Sequence, residues 1–142
     1  MPKLGNILLL DDDEITNFIG TDIIISTGIT ETVTVATVGQ EAIDMIEKNY
    51  EDVTSGLSNI PDIIFLDMNM PEMDGLEFLE KINLIIPQNG PFPVIILLST
   101  SFTKGEVAKA FSTSKLVKGY YEKPLTEEMV MQVYNDHVKE KN

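Results

Sequence analysis

The chain has 142 residues, enough for one compact domain, and 43% of them are apolar, enough to fill a core of that size. Ten basic residues against 23 acidic ones give a formal charge of −13, which repels a nucleic-acid backbone, and no apolar run approaches the ~20 residues that span a bilayer. Cysteine is absent, which excludes disulfides, zinc knuckles and thiol nucleophiles. The opening residues also lack the basic flank, long apolar run and cleavage site of a secretory leader. A cytoplasmic protein that binds neither nucleic acid nor membrane is expected.

Residues 4–10 end in four consecutive aliphatics, Ile7 to Leu10, as in a strand buried on both faces of a sheet. A helical period follows over 14–26. Residues 32–38 are β-branched and alternating, which predicts a second strand, and 40–50 return to the helical period. The same alternation predicts a strand over 60–66, a helix over 76–85, a strand over 94–98, a helix over 104–112 and a weaker fifth strand over 116–121. A last helix follows Pro124, over 127–139. Segments 52–59 and 87–93 cluster turn residues and read as loops too short to separate domains. Strands separated by whole helices need crossover connections, and right-handed crossovers on a parallel sheet give a doubly wound α/β fold in a single domain, residues 1–142.

In such a sheet, ligands sit beyond the carboxyl ends of the strands. There the chain carries Asp11, Asp12, Asp13 and Glu14 after the first strand, and Asp67 and Asn69 after the third. Ser99, Thr100 and Ser101 follow the fourth, and Lys123 the fifth. Carboxylates from two neighbouring strands suit a hard divalent cation such as Mg²⁺, which prefers oxygen ligands. Without a cation or an ammonium group beside them they would repel one another and lose solvation, so Lys123 and Mg²⁺ are the expected neutralisers. Taken singly, Asp13 and Glu14 are explained as a helix cap, Ser99 to Ser101 as cap hydroxyls and Lys123 as a turn residue. Their joint occurrence at four strand ends points to a site.

The segment Asp62-Ile-Ile-Phe-Leu-Asp67-Met-Asn69-Met-Pro71-Glu-Met-Asp74-Gly75 resembles the phosphorylation segment of response regulator receiver domains, and the resemblance extends over essentially the whole chain. It implies a flavodoxin-like (βα)5 fold with strand order 2-1-3-4-5 and no output domain after the fifth helix. It also implies that Asp67 is a phosphoacceptor, with Asp11 and Asp12 as the acidic pair. Mg²⁺ would be held by Asp12, Asp67 and the carbonyl of Asn69, with Asp11 acting largely through water. Lys123 corresponds to the family lysine, followed by a proline, Pro124, whose peptide bond is typically cis. Tyr120 stands where the family keeps an aromatic switch residue. The switch hydroxyl is assigned to Ser99, with Thr100 as the alternative, because the family's spacing from Pro93 falls on Leu98. Asn69 and Ser101, two positions beyond matched site residues, are where the resemblance locates control of phosphoryl lifetime. Asp74-Gly75 reads as a turn and helix start.

The implied partners are a histidine kinase or histidine phosphotransfer protein as donor, and a downstream protein that reads the face formed by the fourth helix, fifth strand and fifth helix. On this reading the chain is a signalling protein that catalyses only its own phosphorylation and dephosphorylation. Ile15, Phe18, Ile19 and Ile23 make a stripe wider than one buried helical face; the stripe is assigned mostly to the core, with Ile15 or Phe18 as candidate donor contacts. His137, the single histidine, is expected to be solvated. A flavin carrier would need a hydroxyl- and glycine-rich phosphate loop where Asp11 to Glu14 stand. A P-loop nucleotidase lacks its motif here, and a dehalogenase-like phosphatase would want an aspartate at the position of Asn69. The remaining rival is a receiver-shaped interaction module that works without phosphate.

Overall fold

A computed structural model of the chain describes residues 2–52 and 59–138. Five parallel strands, β1 (Ile7–Leu10), β2 (Val33–Ala36), β3 (Ile63–Asp67), β4 (Val94–Ser99) and β5 (Val117–Glu122), form one sheet in the order β2-β1-β3-β4-β5. Helices α1 (Glu14–Thr27), α2 (Gly39–Glu51), α3 (Gly75–Ile85), α4 (Lys104–Thr113) and α5 (Glu127–Val133) alternate with them. This is the flavodoxin-like doubly wound arrangement.

The unbroken aliphatic runs have a direct cause, since successive strand residues point to opposite faces and both faces are covered. Leu8, Leu10, Ile64, Leu66, Ile95 and Leu97 join Ile46, Phe78, Leu79 and Ile82 in the core under α2, α3 and α4. The residues between them, Ile7, Leu9, Ile63, Phe65 and Ile96, join Ile24, Val130, Val133 and Tyr134 under α1 and α5. Helix starts are capped by side chains as the composition suggests: Asp13, Asp74, Thr103 and Thr126 each accept a bond from a backbone N–H of the first turn. Thr103 and Glu106 complete a reciprocal capping box.

Several expectations shift. β1 is shorter than residues 4–10 because the chain turns at Gly5; Leu4 still contacts the sheet edge through Thr30, and Asp62 accepts the Gly5 N–H at 2.8 Å. β3 starts at Ile63, since Pro61 has no N–H to give a ladder. The last helix is regular only to Val133 and continues as a π-helical turn, Tyr134–Val138, in which His137 is partly buried; Lys139 lies outside the described residues, as do residues 53–58 of the first predicted loop.

The assignment of the α1 stripe to the core is wrong. Ile15 and Phe18 are each 69% exposed and Ile19 is 51% exposed, with Ile23 partly buried. The buried seam is instead Asn17, Gly20 and Ile24. Crowding explains this: a Cβ on Gly20 would lie 3.0 Å from a methyl of Leu9, so the helix lies against β1 through its smallest residue, and Ile15, Phe18 and Ile19 turn outward while Ile24 stays buried.

Candidate functional site

Parallel register brings the chemistry to one edge. Leu10 pairs with Leu66, so Asp11 and Asp67 leave adjacent strands one step further on. Ser99 pairs with Glu122, and the backbone N–H of Lys123 donates to the Ser99 carbonyl at 2.8 Å, carrying the ladder to the lysine. Asp11, Asp12 and Asp67 offer carboxylate oxygens that all lie within 4.8 Å of one another. Asp11 and Asp67 are buried, while Asp12 faces solvent.

The Lys123 ammonium donates to Asp11 Oδ2 at 2.7 Å and stands 3.4 Å from Asp67 Oδ1. Burial opposes its charge, but the hydrogen bond it donates to Asp11 and the charges of Asp67 and Asp11 outweigh burial and hold Lys123 above its ordinary range. Asp67 shifts upward as well. Its burial dominates, the nearby Asp11 charge adds to it, and the Asn69 N–H at 3.1 Å and Lys123 only partly offset them. One ammonium therefore does not neutralise the cluster. A set of three clustered carboxylates with charge to spare is a donor set of hard oxygens, and it fits Mg²⁺.

Ser99 is buried at the end of β4, whereas Thr100 is exposed. The Ser99 hydroxyl donates to the Ser101 carbonyl at 2.8 Å and accepts from the Asn69 side-chain amide at 2.9 Å. Asn69 thus contacts both the acceptor candidate, through its backbone, and the switch candidate, through its side chain. The turn that carries Asn69 packs closely against the start of α3: a Cβ on Gly75 would collide with the sulfur of Met68, which accounts for glycine after Asp74. Tyr120 is half exposed and meets the edges of Phe102 and Phe111, with ring centroids 5.3 and 6.5 Å away. The Lys123–Pro124 peptide bond is cis.

Six of the seven assigned residues, Asp11, Asp12, Asp67, Asn69, Ser99 and Lys123, meet at this end of the sheet, whereas Tyr120 stands two residues before the end of β5, against Phe102 and Phe111. The sequence reading missed Asn17, whose buried amide donates to the Asp11 carbonyl at 2.8 Å, and Phe102 and Phe111, which hold Tyr120. The signal for Asn17 was an amide in the seam with Gly20, which the wide aliphatic stripe beside it obscured. Among the described residues, no helix is long and apolar enough to cross a membrane.

Comparison with known proteins agrees with this layout. The response regulator receiver domain family matches residues 7–135. A two-component response regulator from Cytophaga hutchinsonii superposes with a TM-score of 0.82 at 33% identity, covering 94% of this chain and 96% of that one. The receiver domain of an Arabidopsis thaliana histidine kinase, solved with Mg²⁺ and BeF₃⁻, superposes with a TM-score of 0.78 at 23% identity, covering 92% and 90% of the two chains; at that identity the likeness concerns the fold. A protein-glutamate methylesterase/protein-glutamine glutaminase from Archaeoglobus fulgidus is 34% identical over 110 residues, which are 78% of this chain and 27% of that protein. The chain thus spans about a quarter of the length of such curated relatives. With one family matched across nearly the whole chain, a fold to agree and the charged strand ends in register, the chain belongs to the response regulator receiver domain family and has a role in two-component signalling.

Proposed function

We propose that Asp67 is the residue that accepts a phosphoryl group from a phosphohistidine, on a histidine kinase or a histidine phosphotransfer protein. The observation that carries this reading is the gathering of Asp11, Asp12 and Asp67 within 4.8 Å, with Lys123 against two of them. A carboxylate oxygen of Asp67 forms the new O–P bond as the N–P bond breaks, and the imidazole leaves with that electron pair. Water later attacks the phosphorus, releases inorganic phosphate and restores the carboxylate. Phosphoryl transfer depends on positioning and on neutralising charge, and Lys123 supplies an ammonium for the phosphoryl oxygens. Asp12, Asp67 and the Asn69 carbonyl would hold Mg²⁺, with Asp11 acting largely through water. When bound, the ion supplies further positive charge to those oxygens.

The switch follows from competition for hydrogen bonds. The Ser99 proton is engaged by the Ser101 carbonyl, and a phosphoryl group on Asp67 offers a charged acceptor in its place. Ser99 then turns toward Asp67, and Tyr120 leaves the edges of Phe102 and Phe111 for an inward position, which changes the face of α4, β5 and α5 offered to a downstream protein. The exposed Ile15 and Phe18 sit in the first turns of α1, directly after the acidic cluster, and this continuity supports them as the donor's docking face.

Intact-mass spectrometry after incubation with acetyl phosphate and Mg²⁺ tests the reading, with EDTA and Asp67→Asn as controls. The expected result is one added phosphoryl group that requires Mg²⁺ and is absent from the variant. No adduct from acetyl phosphate or from a competent histidine kinase refutes it in favour of an interaction module that works without phosphate.

A further inference from the structure

Asp11 is the last residue before the chain leaves the sheet. Its backbone N–H still donates to the Ala36 carbonyl at 3.1 Å, but its carbonyl is beyond the strand β1 and is taken up by the Asn17 amide at 2.8 Å. Asn17 is 3% exposed and shares its seam with Gly20 and Ile24 only. A buried amide is costly to desolvate unless it is hydrogen-bonded, and this bond ties α1 to the turn that carries the acidic pair. The carboxylate of Asp11 is held as well, by the Asp13 N–H at 2.9 Å and by Lys123. With side chain and carbonyl both fixed, the peptide plane joining Asp11 to Asp12 has one orientation. That plane sets the direction in which the chain runs into Asp12, whose exposed carboxylate lies within 4.8 Å of those of Asp11 and Asp67.

We propose that Asn17 is a positioning residue for the cation site, acting through the Asp11 carbonyl to set the Asp12 carboxylate; this rests on the reading of the three carboxylates as a Mg²⁺ site. Groups that orient metal ligands from behind typically contribute 10–100-fold to affinity. Asn17→Leu keeps the branched outline of the side chain and removes the donor. Isothermal titration calorimetry of Mg²⁺ into the full chain is expected to show at least about a tenfold rise in Kd for this variant. The rate of acetyl phosphate labelling is expected to recover when Mg²⁺ is raised in proportion. A residue needed only for packing would lower the melting temperature in EDTA and leave the Mg²⁺ Kd unchanged, and that result overturns the proposal. Should Asn17→Leu fail to fold, Asn17→Ser, whose hydroxyl is too short to span the gap, carries the same expectation. Wild-type chain that takes up no Mg²⁺ defeats the cation site itself and the proposal with it, whereas equal binding by wild type and variant defeats the proposal alone.

Discussion

Replacing Lys123 with methionine keeps most of the side-chain stem and deletes the ammonium. The side chains concerned are well shielded, with Asp11 at 7%, Asp67 at 5% and Lys123 at 18% exposure, so solvent screening does not erase the effect. Removing one partner of a buried ion pair commonly costs about 3–5 kcal/mol, because the other charge is left uncompensated. Here two carboxylates are left behind, and the option of Asp67 to take up a proton keeps the loss within that range. Lys123→Met is therefore expected to lose about 3–5 kcal/mol in urea denaturation at neutral pH with EDTA. The pH dependence has a definite sign. The Lys123 pKa is raised above its reference of 10.5, so its contribution is complete at neutral pH and disappears only as pH climbs through the alkaline range. On the acid side the deficit shrinks as Asp67, whose pKa burial raises, takes up its proton. Mg²⁺ should stabilise the variant more than wild type, because it becomes the cluster's remaining cation; at a hundred times Kd a bound ligand contributes about 2.7 kcal/mol. A loss below about 1 kcal/mol in EDTA, or one that is unchanged in acid, would refute the view that these carboxylates are desolvated and depend on the lysine.

Asp67→Asn should do the opposite. Burial, with the Asp11 charge adding, raises the Asp67 pKa, so the folded state holds the proton more tightly than the unfolded chain, and stability from this group is full below the reference of 3.8 and falls as pH rises through the folded pKa above it. In EDTA at neutral pH the asparagine variant is expected to melt higher than wild type, the gain vanishing in acid; a lower melting temperature at neutral pH would contradict the assignment. Ile15→Asp and Phe18→Asp alter side chains that are each 69% exposed and should shift stability by no more than about 0.5 kcal/mol. Both are expected to slow phosphotransfer from a histidine donor while labelling by acetyl phosphate stays at the wild-type rate, and equal rates with both donors would remove α1 as the docking face.

Local patterns in the chain determined much of this protein. Four aliphatics before Asp11, and comparable runs before Asp67 and Ser99, can only be strands covered on both sides, and turn residues and caps such as Asp13, Asp74 and Thr126 mark where helices begin. Strand ends then name the charged residues, since a parallel sheet puts them all at one edge. What periodicity could not supply was which helical face turns inward. Ile15, Phe18 and Ile19 are more apolar than Asn17 and Gly20, yet they stand in solvent, because close approach of α1 to Leu9 favours the smaller residues. Likewise, Ser99 and Thr100 are chemically alike in the sequence. The register of β4 against β5 turns Ser99 inward to Asn69 and leaves Thr100 outside. The bond from Asn17 to Asp11 and the aromatic edges around Tyr120 depend on packing between elements far apart in the chain or on opposite sides of a turn, so tertiary structure alone decided them.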